Sequence, residues 1–125
     1  MNSTPILVAV VDDDESVRES LPDLLKELGF AAKSFATARD FLRSRCLDKT
    51  TILISDVAMP GMTGPELFRE LVSRGHAIPT IFITAHEDVA TRPDVVEGAI
   101  TCLIKPFNDT VLLEALKRAL NDKPQ

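Results

Sequence analysis

Short apolar runs alternate with stretches of helical period five times along this chain. The runs are Ile6 to Val11, Ala31 to Phe35, Ile52 to Ile54, Ile81 to Ile83 and Ile100 to Ile104, with Ala31 to Phe35 the weakest. A strand covered on both faces carries a continuous apolar run because neither face meets water, so the pattern predicts parallel strands joined by crossover helices. After the first run, Val17, Leu21, Leu24, Leu25 and Leu28 share one helical face; Ser16-x-x-Glu19 is the expected capping box and Gly29 the expected terminator. Pro22 falls inside that helix and is expected to bend it. Ala38, Phe41 and Leu42 predict a short second helix capped by Thr37. Gly64-Pro65 opens a third, with Leu67, Phe68, Leu71 and Val72 inward and Gly75 at its end. Asn108 or Asp109 opens the last, with Leu112, Leu113, Leu116 and Leu120 inward. Between His86 and Gly98 the period weakens and Pro93 interrupts it, which predicts a shortened fourth helix starting at Pro93. The architecture expected is α/β: a (βα)5 doubly wound, five-stranded parallel sheet with helices on both faces.

Composition narrows this without changing it. A length of 125 residues with 45% hydrophobic content suits one domain over 1–125, with 121–125 a tail or the start of a linker. Fourteen basic against nineteen acidic residues give a net charge of −5, which argues against direct nucleic-acid binding. The longest apolar run, Ile6 to Val11, is too short for a membrane span and follows no basic leader, so a soluble, cytoplasmic protein is expected. Cys46 and Cys102 lack CxxC spacing and are read as reduced, structural thiols.

In a parallel sheet of this kind, ligands bind beyond the carboxyl ends of the strands, where strand order reverses. Those ends carry Asp12-Asp13 after the first run, Asp56 after the third, Thr84 after the fourth and Lys105 after the fifth. With strand order 2-1-3-4-5, all of them converge on one rim. Three acids so close repel one another unless a cation neutralises them, and Mg²⁺ takes carboxylates together with phosphate oxygens. A carboxylate also attacks phosphorus, provided the charge on the phosphoryl oxygens is stabilised, which Lys105 and Thr84 suit. Taken singly, Asp12 to Glu15 reads as a solvated acidic turn, Lys105 before Pro106 as a surface lysine, Thr84 as a strand residue or cap, and Asp56 as a loop acid. Their placement at four strand ends together is what points to chemistry.

At these residues the chain resembles the receiver domain of two-component response regulators. Val10-Val11-Asp12-Asp13 matches the acidic pair, and Asp56-Val57-Ala58-Met59-Pro60-Gly61-Met62-Thr63-Gly64 the D-x-x-M-P-x-M-x-G loop. Ile83-Thr84-Ala85 matches the switch threonine with its small neighbour, and Lys105-Pro106-Phe107 the K-P-F step. The stretch from Val11 to Arg18 and Ile83-Thr84-Ala85-His86 look most like receivers of the nitrogen-fixation-regulator type. The resemblance implies the flavodoxin-like order 2-1-3-4-5 and a phosphoacceptor signalling domain, not an enzyme acting on a separate substrate. Asp56 is then the phosphoacceptor, served by a sensor histidine kinase or phosphotransfer protein. Mg²⁺ is held by Asp12, Asp13, Asp56 and the backbone carbonyl of Ala58; Thr84, Ala85 and Lys105 bind the phosphoryl group, and the Lys105–Pro106 peptide is cis. A downstream protein partner, or an effector domain beyond this chain, reads the state, and a homodimer is compatible with it. The lifetime of the phosphorylated form is expected to depend on Ala58 and His86.

Two features depart from the family pattern. Cys102 stands where an aromatic side chain usually sits, three positions before the lysine, and the Thr84 to Lys105 segment is about one residue short and contains Pro93. The output surface is therefore expected to be altered, with the first helix, carrying Pro22, as a candidate. An aspartate-nucleophile phosphatase of the haloacid dehalogenase type is disfavoured because the position two after Asp56 is Ala58 rather than an acid. A mononucleotide binder is disfavoured because Asp12 to Glu15 occupies the place of a phosphate loop.

Overall fold

A computed structural model describes residues 6–121. Its five strands are β1 (Leu7–Val11), β2 (Ala31–Phe35), β3 (Ile52–Asp56), β4 (Thr80–Thr84) and β5 (Thr101–Ile104), all parallel, in the order β2-β1-β3-β4-β5. The helices are α1 (Glu15–Glu27), α2 (Ala38–Leu42), α3 (Gly64–Ser73), α4 (Pro93–Val96) and α5 (Asp109–Asn121), with 3-10 turns at Leu47–Lys49 and Glu87–Thr91. Asn121, the first residue of the expected tail, is the last residue of α5, and 122–125 lie outside the described residues.

Alternation along the strands explains the two helical layers. Val8, Val10, Ile52, Ile54, Ile81 and Ile83 point to one side and are covered by α1 and α5 through Leu21, Leu25, Leu112 and Leu116. Ala9, Val11 and Leu53 point to the other, against Phe41 of α2 and Leu67 and Leu71 of α3. Burying each such side chain is worth about 1.5–3 kcal/mol, so β1, β3 and β4 form the rigid centre. On that second side, nearer β5, Val57, Phe82 and Val95 form a third, smaller cluster that includes Phe68 and Cys102.

Several local expectations need correction. The cap of α1 is Asp14, whose side chain accepts from Ser16 N, so Ser16-x-x-Glu19 is not the capping box. The earlier acid wins because the chain turns into the helix directly at the end of β1. The true capping box belongs to α3: Glu66 N donates to Thr63 Oγ1 at 3.3 Å and Thr63 N donates to Glu66 Oε1 at 2.9 Å, one residue before the expected start at Gly64. Val72 is 57% exposed rather than inward, because the sheet covers only the Leu67 and Leu71 stripe. Elsewhere Thr37 caps α2, Asn108 caps α5, and Gly29 and Gly75 follow α1 and α3 at φ of +99° and +83°. Helix α1 runs unbroken through Pro22. Ring closure deprives Arg18 O of its helical donor, and Ser34 Oγ of β2 donates to that carbonyl at 3.3 Å instead.

Candidate functional site

Strand register assembles the rim. Val11 pairs with Ser55, Asp56 with Ile83 and Thr84 with Ile104, so Asp12, Asp56, Thr84 and Lys105 follow one another across the carboxyl ends. A close approach fixes the loop behind Asp56. Gly64 N donates to Val57 O at 2.9 Å, and a Cβ at Gly64 would lie 2.5 Å from the Asp56 main-chain oxygen and against the Phe82 ring. Only glycine lets α3 start there.

Asp12 is fully buried and its hydrogen bonds are nearly complete. Its main-chain N donates to Phe35 O at 3.1 Å, its Oδ1 accepts from Asp14 N at 2.9 Å, and its Oδ2 accepts from Lys105 Nζ at 2.9 Å. Lys105 Nζ also lies 3.8 Å from Asp56 Oδ2. One carboxylate oxygen from each of Asp12, Asp13 and Asp56 lies within 4.8 Å of the other two. Asp13 is exposed and Asp56 is 8% exposed.

Burial pushes the Asp56 carboxyl up to about 6; the charges of Asp12 and Asp13 add to the rise, while Lys105 opposes it. For Lys105 burial works against the charged form, but the hydrogen bond and charge of Asp12, with Asp56 and Asp14 behind, leave its pKa above the usual lysine value. Asp56 is thus an acid held in surplus negative charge. That charge balance suits a divalent cation with oxygen ligands, and Asp12, Asp13 and Asp56 are the residues that fit it.

Thr84 is buried; its Oγ1 accepts from His86 N at 3.1 Å, and among the described residues no acceptor takes its hydroxyl proton. Lys105 N donates to Thr84 O at 2.7 Å, and the Lys105–Pro106 peptide is cis. Ala58 and Ala85 are exposed, in the segments that follow β3 and β4. Cys102 is half-buried, and burial, with the charge of Asp56 behind it, pushes its thiol up to about 11, which keeps it protonated. It lines a cavity of about 280 Å³ with Ala90, Val96, Ala99, Ile100 and Thr101.

Two residues at the rim carry no role in the sequence reading. Asp14 caps α1 while its N–H holds Asp12 Oδ1, and Arg18 NH1 donates to Asp12 O at 3.1 Å. Asp14 was legible as a cap from its place before the helix. Arg18 offers no such signal, because its acceptor is a main-chain atom.

Residues 8–117 match the response regulator receiver domain family. Among curated relatives, Nodulation protein W of Bradyrhizobium diazoefficiens is 40% identical over 118 residues, 94% of this chain and 52% of that protein. The transcriptional regulatory protein FixJ of Rhizobium meliloti is 41% identical over 117 residues, 93% of this chain and 57% of that one. The chain thus spans about half the length of these relatives. Among solved structures, that of FixJ-N superposes with a TM-score of 0.85 at 37% identity, over 98% of this chain and 99% of that one. With so much of its length matched, the chain belongs to the response regulator receiver domain family, the signal-receiving modules of two-component systems.

Proposed function

We propose that Asp56 accepts a phosphoryl group from the phosphohistidine of a sensor histidine kinase or phosphotransfer protein, and that the acyl phosphate switches partner binding. One observation carries this reading: Lys105 Nζ lies 3.8 Å from Asp56 Oδ2 on a rim where three carboxylates approach within 4.8 Å. In the transfer, an Asp56 Oδ attacks phosphorus and the P–N bond breaks. The imidazole leaves with the bonding pair and is protonated from solvent. A carboxyl that titrates near 6 is largely ionised at neutral pH, as attack requires. Bound Mg²⁺ would supply positive charge to the phosphoryl oxygens, held by Asp12, Asp13, Asp56 and the Ala58 carbonyl. Lys105 is poised to turn from Asp12 toward a new anion on Asp56, and Thr84 to donate its free proton to it.

The altered stretch between Thr84 and Lys105 makes the output route its own question. Phosphorylation shifts a conformational equilibrium only through contacts that differ between states, and Thr84, Ala85 and Lys105 supply those contacts here. The downstream reader is a protein partner or an effector domain outside this chain, and Ala58 and His86 beside the pocket set the lifetime of the acyl phosphate. Outside its own phosphorylation and dephosphorylation the domain catalyses nothing.

The test is intact-mass measurement after incubation with Mg²⁺ and acetyl phosphate. Wild type should gain the mass of one phosphoryl group, and Asp56→Asn none. An unmodified wild type, or equal gain by both, overturns the reading.

A further inference from the structure

Arg18 is the side chain whose position the phosphoryl chemistry leaves unexplained. Its NH1 donates to the main-chain carbonyl of Asp12 at 3.1 Å in a partly buried setting. The backbone of Arg18 is itself tied to the sheet. Pro22 leaves Arg18 O without its helical N–H, Ser34 Oγ fills that place at 3.3 Å, and Phe35 O, the next residue of β2, accepts from Asp12 N at 3.1 Å. Strand β2 thus holds the acidic turn from two directions, through Phe35 on the amide side and through Ser34 and Arg18 on the carbonyl side.

The consequence falls on Asp13. Among the described residues no hydrogen bond reaches its exposed carboxylate, so the backbone on either side sets where it projects. On the near side that backbone is the Asp12 carbonyl, which Arg18 holds; on the far side it is Asp14 N, bonded to Asp12 Oδ1 at 2.9 Å. We infer that Arg18 is a positioning residue that fixes the Asp12–Asp13 peptide, so that the Asp13 carboxylate stays within 4.8 Å of those of Asp12 and Asp56, as a shared cation requires. The inference rests on the Mg²⁺ reading above. It assigns Arg18 a geometric role, and its sign is opposite to that of a charge, since a guanidinium acting only by electrostatics repels a cation from the site.

That difference in sign makes the test decisive. Mg²⁺ binding to the full chain is titrated by amide NMR shifts, since the chain has no Trp and no Tyr to report by fluorescence. Arg18→Met keeps most of the apolar stem and removes the donors. It should raise the Mg²⁺ dissociation constant roughly tenfold, the lower end for losing a group that orients a metal ligand. Arg18→Lys, which keeps one point donor, should recover part of the loss. An unchanged constant in folded Arg18→Met confines Arg18 to packing, and a lower constant makes it a mere charge; either result overturns the inference. Should Arg18→Met fail to fold, Arg18→Lys decides alone: weaker binding supports the role and unchanged binding overturns it. A wild type that binds no Mg²⁺ removes the metal reading and this one together, whereas a wild type that binds it beside an equally competent Arg18→Met removes only this one.

Discussion

The acidic rim and the segment from Glu87 to Ile104, which links β4 to Lys105, are neighbours in the chain yet are built in opposite ways. At the rim, Asp12, Asp56 and Thr84 terminate strands whose residues from Val8 to Val11, Ile52 to Asp56 and Thr80 to Thr84 are all buried. In the neighbouring segment, a 3-10 turn and a four-residue helix contribute one buried side chain, Val95, and β5 contributes one, Leu103. Dense burial makes a region open only with the whole domain, whereas sparse burial lets it open locally. The candidate site thus stands on the densely buried part of the fold, and the segment beside it is the one that local opening costs least.

The largest effect that separates the two regions should come from Lys105→Met. It leaves the fully buried Asp12 without its cation at 2.9 Å, and destabilisation of about 3 kcal/mol is expected, the lower end for breaking a buried pair. Urea denaturation in EDTA should show the loss, and Mg²⁺ should recover part of it. A loss below about 1 kcal/mol would mean that the rim is no more tightly determined than its neighbour.

Next is Gly98→Ala. A Cβ at Gly98 would overlap the Phe68 ring, so the ring must swing out of the cluster it shares with Val57, Phe82 and Val95, at about 1–3 kcal/mol. Hydrogen exchange should then rise across 87–98 while β1 and β3 stay protected. Uniform exchange across the chain would erase the contrast.

A smaller effect follows from Asp56. Its folded carboxyl titrates near 6 against an ordinary 3.8, so the fold favours the protonated form. This penalty is absent below about pH 4, grows as pH rises through 6, and is fully present above it. Asp56→Asn in EDTA should therefore melt higher than wild type at pH 7.5, by about 1–2 kcal/mol after allowance for solvent screening, and the gain should vanish near pH 4. A gain independent of pH would point to packing instead. The smallest effect belongs to Val96→Ser. The side chain is 52% exposed, so stability should stay within about 0.5 kcal/mol.

These expectations also mark what the sequence carries openly. Strand runs such as Ile52 to Ile54 and Ile81 to Ile83 are legible because they are buried on both faces, and the polar residues at their ends are legible because the period stops there. The order of the strands, and with it the meeting of Asp12 with Asp56, is carried by the resemblance to the receiver family, since five parallel units alone admit more than one order. What escapes is decided between distant residues or between equivalent neighbours. Asp14 and Ser16 are both good caps, and only the end of β1 selects the first. Val72 keeps the helical period but meets no opposing layer. Ser34 answering the carbonyl freed by Pro22 joins positions far apart in the chain, and no local pattern records it.

Gly64 has a consequence for anyone who would build on this domain. Its N–H reaches back to Val57 O at 2.9 Å, and its α-carbon leaves no room beside the Asp56 carbonyl, so the loop between them has a fixed length. An epitope or fluorophore inserted there would lever Asp56 out of line, however exposed Pro60 and Gly61 are. The loop tip between α3 and β4, near Arg74 to Ala77, is equally open to solvent at its first residues and touches nothing at the rim; it is the place to graft a reporter that leaves the site as it stands.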